Sequence, residues 1–156
     1  LVRGPTVMQG YWNRPAETEA ALRGGWFHTG DAAVMDEDGF VYIVDRLKDM
    51  IISGGENIYS TEVENALSLM PGVVEVAVIG IPDDKWGEKV HAIVVEQPGA
   101  GLTVQAVQEW ARRKIAGYKV PRSVLIRQER LPLSGAGKVL KNELRAPYWA
   151  GRGKNL

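Results

Sequence analysis

Two apolar, β-branched runs, residues 73–79 and 90–95, constrain this chain more than any other feature. Val and Ile at this density fit a pleated surface buried on at least one face, so both runs predict strands. Around them lie helical patterns. Thr61 and Glu64 have the spacing of a capping box, for a helix ending near Met70 where Pro71 and Gly72 follow. Thr103 caps a second helix, reaching Ile115, with Val104, Val107, Trp110, Ala111 and Lys114 at helical spacing. Residues 50–52 and 124–126 add short strand candidates. Strands and helices interleave, which implies an α+β layer in which two helices cover a sheet of about three strands.

The part before residue 48 reads differently. Asn13 as a cap, Pro15 early, acidic Glu17 and Glu19, and Gly24-Gly25 as a stop predict a short surface helix. Residues 26–29, 33–35 and 40–44 read as strand pieces, with Asp38-Gly39 turning between the last two. The charged, aperiodic run Asp45-Arg46-Leu47-Lys48-Asp49 then separates this small β region from the layer beyond. A boundary with few crossing contacts belongs in such a run. The expected division is therefore 1–47 as the end of a larger domain, 48–150 as a compact domain with a three-stranded sheet covered by helices, and 151–156 as a frayed tail. The chain opens on Leu1 without a signal-peptide layout and reads as cut from something longer.

Charge narrows the partners. Nineteen basic residues balance nineteen acidic ones, so the footprint of a nucleic-acid or anionic-membrane binder is missing. With no cysteine, disulfides, thiolate metal sites and cysteine nucleophiles are excluded, and no metal ligand set is assigned. The apolar stretch 73–81 is broken by Glu75 and Gly80 and is too short to span a bilayer.

Three segments hold more glycine and charge than folding alone asks for. In the first, residues 24–31, Gly30 precedes Asp31, whose carboxylate could accept two hydrogen bonds from a ribose diol. In isolation a turn with Asp31 bonding its own backbone is the better reading, and His28 reads as a packed or solvated strand residue. In the second, Ser53-Gly54-Gly55-Glu56-Asn57, bare backbone could approach a ligand, although the dinucleotide spacing is missing. A tight connection with positive φ at the glycines outweighs that on pattern alone. The third, residues 132–139, fails the phosphate-loop pattern because Pro132 and Val139 occupy required positions. It leaves Lys138 on a glycine-flanked loop, either simply solvated or able to reach a ligand held elsewhere. Trp86, in a loop after Pro82-Asp83-Asp84, could stack on a ligand or anchor its own loop.

Order and spacing change the weight of these segments. Residues 2–4 through Gly10-Tyr11, then Gly25-Trp26-Phe27-His28-Thr29-Gly30-Asp31, then Asp45-Arg46-Leu47-Lys48-Asp49-Met50-Ile51, then Gly54-Gly55-Glu56-Asn57-Ile58-Tyr59, Glu62-Val63-Glu64 and finally Leu131-Pro132 to Gly137-Lys138 follow one another as closing motifs do in a known group. In these the chain resembles the adenylate-forming superfamily of acyl-CoA synthetases, luciferase and peptide-synthetase adenylation domains, over almost its whole length. Asp45 stands where that family commonly has glycine, and Ser60 where it commonly has proline.

The resemblance implies roles. The residue matching Asp31 binds the ribose hydroxyls of ATP, with Arg46 assisting; Lys48 is a hinge; Lys138 is the catalytic lysine of adenylation. Gly54 and Gly55 face the pantetheine channel in the turned state, with Trp86 close to CoA. ATP and CoA are implied as substrates and Mg2+ as expected for the full-length enzyme, with nothing held tightly by this portion. It also implies a carboxylic acid substrate, a missing N-terminal domain of the same chain as partner, a cytoplasmic setting, and inactivity of this portion alone. The tail Leu144-Arg145-Ala146-Pro147-Tyr148-Trp149 favours the fatty-acyl ligase type over a peptide-synthetase domain. A different class of reading is a non-catalytic binding module that dimerises through Trp12, Trp26 and the exposed β segment.

Overall fold

The two β-branched runs do pair with each other, and they form the spine of the computed structural model, which describes residues 1–152. In chain order the elements are α1 (Pro15–Leu22), β1 (Asp31–Met35), β2 (Val41–Arg46), β3 (Ile51–Ser53), β4 (Glu56–Ile58), α2 (Ser60–Ser68), β5 (Val73–Asp83), β6 (Gly87–Glu96), α3 (Val104–Arg112), β7 (Ser123–Arg127) and α4 (Lys141–Trp149). β5 and β6 form an antiparallel hairpin in register from Val73↔Glu96 to Asp83↔Gly87. α3 then crosses over and returns β7 parallel to β6. These three are the long strands; the β3–β4 hairpin extends the sheet to five by touching β6 at Ser53↔Gly87.

Both faces of this sheet are covered, which explains why its strands read as near-continuous apolar runs. Alternation along each strand sends Val78, Val90, Ala92 and Val94 to one face, against Val63, Leu67 and Met70 of the α2 region and Val107 and Ala111 of α3. It sends Ala77, Ile79, Ile81, Ile93 and Val95 to the other, against Leu131, Val139, Leu144 and Tyr148. The second cover was not foreseen. α4 carries Pro147 in its interior and few apolar residues, which hides it, yet Leu144 and Tyr148 are four apart on one helix face.

Helix starts differ from the sequence reading in two places. Thr103 caps α3 as expected, its Oγ1 accepting from the Ala106 N–H at 3.1 Å. Thr61 and Glu64 do not form a capping box: Tyr59 is the N-cap of α2, and no side chain of its own caps the helix. Glu64 instead accepts the Val78 N–H at 2.7 Å, and the Thr61 N–H goes to Asp45 Oδ2 at 3.3 Å. Asn13 does not cap α1 either; it sits at φ +53, and Arg14 holds the N-cap position. Of residues 26–29, only Phe27 pairs, in an isolated antiparallel bridge to Val2.

Ahead of residue 48, β1 and β2 form a separate antiparallel hairpin, with Asp31 opposite Arg46 and Gly39 in its turn at φ +86. It has no apolar core: Val34, Met35, Val41, Tyr42 and Ile43 are all exposed. Of the expected frayed tail, Arg152 is hydrogen-bonded to Asp84 at 2.9 Å, and residues 153–156 lie outside the described residues.

Candidate functional site

Asp31 begins β1 and Arg46 ends β2, so their antiparallel register places them opposite one another at the edge of the hairpin. Arg46 Nε lies 3.5 Å from Asp31 Oδ1. The Gly30 carbonyl accepts the Leu47 N–H at 2.9 Å, which closes the end of the hairpin and fixes where the chain leaves it. Lys48 follows, exposed, in a turn closed by the Asp49 and Met50 N–H groups on the Arg46 carbonyl.

Lys138 reaches the same place from the other end of the chain. Leu133 and Val139 bridge, Ser134 N–H donates to the Lys138 carbonyl at 2.8 Å, and Gly137 N–H donates to the Ser134 carbonyl at 2.8 Å. Gly137 takes φ +75, which closes this tight loop and points Lys138 outward, exposed. The result is an open cleft of about 360 Å³ lined by Arg46, Lys48, Asp49, Lys138, Lys141 and Arg145 among others. Five of these six are basic and one acidic, an arrangement that attracts a polyanion. Asp31 sits in an adjoining cleft of about 390 Å³ with His28, Thr29 and Leu47.

Two of the cleft's cations were not picked out in the sequence. Lys141 Nζ is 2.6 Å from Glu64 Oε1 and donates to Ser60 Oγ at 2.8 Å. Burial pushes the Glu64 carboxyl above its ordinary range, opposed by the Lys141 ammonium. Arg145 is buried, with Nη2 2.9 Å from Asp49 Oδ1. Lys141 and Arg145 stand four apart on α4, and that spacing, three residues after Lys138, was the signal available. Lys138, Lys48 and Arg46 are the exposed cations of the cleft, while Lys141 and Arg145 are committed to carboxylates.

The glycine pair lies elsewhere and does not line this cleft. Gly54 and Gly55, at φ +61 and +87, form the two-residue turn of the β3–β4 hairpin. A Cβ on Gly54 would meet the Trp86 ring at 2.6 Å, so that indole fills the space beside Gly54, whereas nothing lies within 4 Å of the corresponding point on Gly55. The Trp86 ring is flanked by Lys85 Nζ at 4.8 Å and Arg122 at 4.7 Å. Gly54 and Trp86 are thus one packed unit. His28 touches the Arg23 carbonyl at 3.3 Å, in keeping with a satisfied surface residue.

Among the described residues no cluster of three or more His, Cys, Asp or Glu could hold a metal ion. No described helix is long and apolar enough to cross a membrane.

Known proteins resemble this chain along most of its length. Residues 62–138 match the AMP-binding enzyme C-terminal domain. The chain is 55% identical over 148 residues to a feruloyl-CoA synthase of Amycolatopsis, covering 95% of this chain and 30% of that protein. It is 50% identical over 144 residues to a long-chain-fatty-acid–CoA ligase of Escherichia coli O157:H7, covering 92% and 25%. Among solved structures, o-succinylbenzoate CoA synthetase of Bacillus subtilis in complex with an acyl-adenylate intermediate superposes with a TM-score of 0.84 at 38% identity, covering 99% and 30%. A Mycobacterium tuberculosis fatty acyl CoA synthetase gives 0.68 at 46% identity, covering 95% and 29%. The chain thus spans under a third of the length of these relatives. Residues 62–138 are thus the C-terminal domain of an AMP-binding enzyme, and the chain as a whole is similar to the C-terminal part of adenylate-forming CoA ligases.

Proposed function

We propose that this chain is the catalytic lid of an ATP-dependent acyl-CoA ligase, which joins a carboxylic acid to AMP and then passes the acyl group to CoA. The observation that carries the reading is the cleft in which Lys138, from a loop near residue 137, meets Arg46 and Lys48 from the end of β2. A carboxylate attacking the α-phosphate of ATP builds negative charge on the phosphate oxygens as pyrophosphate leaves. An ammonium delivered there stabilises that charge more than the ground state. Asp31, beside Arg46, is placed to accept from a ribose diol in the adjoining cleft. The Mg2+ expected for the reaction would arrive on the nucleotide's phosphates.

The thioester step moves the reacting centre from the α-phosphorus to the carbonyl carbon, where the CoA thiol adds and AMP leaves, and it needs different groups beside it, so one lid serves both only by turning. The pivot is Lys48, between residues 1–47 and 48–150. The unequal superpositions support this: the relative at 46% identity fits less well than the one at 38%, as two rigid parts at different angles would. In the turned state the β3–β4 turn would approach the pantetheine arm, with Gly55 giving open backbone and Trp86, braced by Gly54, a flat wall. The remaining large domain covers the exposed β1–β2 faces, the setting is cytoplasmic, and this chain alone is inactive.

In the full-length enzyme, Lys138→Ala should lower ATP–pyrophosphate exchange roughly a hundredfold to a thousandfold. Thioester formation from preformed acyl-adenylate should be spared, and equal loss of both steps would rule out the role. Lys48→Pro, by fixing φ at the pivot, should impair one half-reaction selectively, read by assaying the two separately. Exchange across a panel of carboxylic acids identifies the substrate.

A further inference from the structure

Around the pivot the hydrogen bonds divide into two kinds. Arg145 to Asp49 joins two residues that both follow Lys48, so that pair would travel with the lid. Asp45 precedes Lys48, yet its buried carboxylate accepts the Ser60 hydroxyl at 2.8 Å and the Thr61 N–H at 3.3 Å, both at the start of α2. Ser60 is fully buried and its oxygen in turn accepts from Lys141 Nζ at 2.8 Å, which is anchored on Glu64 at 2.6 Å. The result is a continuous buried chain, Asp45–Ser60–Lys141–Glu64. It ties the end of β2 to α2 and to the residue three places beyond Lys138. A carboxylate facing the first N–H groups of a helix is also held by the helix dipole.

We infer that Asp45 and Ser60 form a latch that holds the lid in the orientation presenting Lys138 to Arg46, and that this latch must open for the lid to turn. The inference rests on the proposed pivot at Lys48. Ser60 supplies the hydroxyl that bridges the two parts, and Lys141 is a positioning residue that orients this hydroxyl and holds the base of the Lys138 loop.

Two exposed positions, Glu37 in the β1–β2 turn and Glu109 on α3, report the orientation, and the chain has no cysteine to interfere. Spin labels on a Glu37→Cys/Glu109→Cys chain should give one dominant distance. Ser60→Pro, with proline tolerated at the first helical position, and Asp45→Gly should each raise the ratio of a second distance about tenfold. Together they should add little beyond either alone. Ser60→Ala removes the hydroxyl without touching the backbone and serves if another variant unfolds, which circular dichroism would show. An unchanged distribution in a folded Ser60→Ala chain, or a parent already divided between distances, overturns the latch. Because the readout needs no catalysis, a shift in distances beside an unaffected Lys138→Ala enzyme would strike the catalytic reading and leave the latch standing.

Discussion

Residues 1–47 and residues 48–150 handle apolar surface in opposite ways. Among the described residues, every buried apolar side chain of the core lies at Ile51 or beyond, while twelve of the nineteen large exposed ones precede Lys48. Trp12 is 96% exposed and Met35 72%, whereas Leu67 and Ile79 are fully buried. The later part therefore draws its stability from its own two-faced core. The earlier part holds its shape by backbone pairing and by turn hydrogen bonds such as those of Asp36 to Asp38, Phe40 and Tyr42. The cleft lined by Arg46, Lys48 and Lys138 lies where these two kinds of structure meet. A self-supporting body can move relative to its neighbour without unfolding, which is what the proposed lid role would require.

Three measurements would break or sharpen this contrast. Leu67→Ala, at the centre of the core under α2, should cost about 2–5 kcal/mol in denaturant unfolding. A loss below about 1 kcal/mol would mean that the later part does not rest on this core. The next concerns His91, buried with Nδ1 2.8 Å from Ser123 Oγ and Nε2 3.0 Å from the Tyr148 hydroxyl. Burial, then the nearby Lys89 charge, lowers its pKa to about 4, so the folded chain resists protonation that the unfolded chain accepts below about 6.5. Stability is thus full above pH 6.5 and falls as pH drops from 6.5 to 4, by up to about 3 kcal/mol. His91→Gln should flatten that slope in unfolding curves taken across the range. The smallest effect belongs to the other part: Ile43→Ala, on an exposed strand, should change the stability of this chain by less than about 0.5 kcal/mol. A larger loss would show that the β1–β2 hairpin buries Ile43 in solution, for instance against a second copy, which light scattering would detect.

Legibility cut across this division. β5, β6, α3 and the Asp38-Gly39 turn were readable because local periodicity and turn chemistry agree with their final environment. The opposition of Asp31 and Arg46 came from resemblance, and the hairpin register then put them together. The start of α2 was misread because the residue that satisfies its N–H groups is sixteen positions upstream, and Glu64 serves a strand rather than its own helix. α4 was missed for a related reason: its worth lies in what Tyr148, Trp149 and Arg145 touch 57 to 97 residues away, which no local pattern encodes. The plain structural demand on Gly54 was visible as a turn, but that Trp86 presses against it was not.

The docking of α4 has a consequence for synthesis. Trp149 Nε1 donates to the Gly80 carbonyl across 69 residues, and the helix completes the cover over Ile79, Ile81, Ile93 and Val95. While the ribosome makes the intervening stretch, roughly 4 to 14 s at 5–20 residues per second, that sheet face stays bare. The nascent chain would therefore present an adhesive surface to chaperones for its whole passage from the first long strand to the last helix.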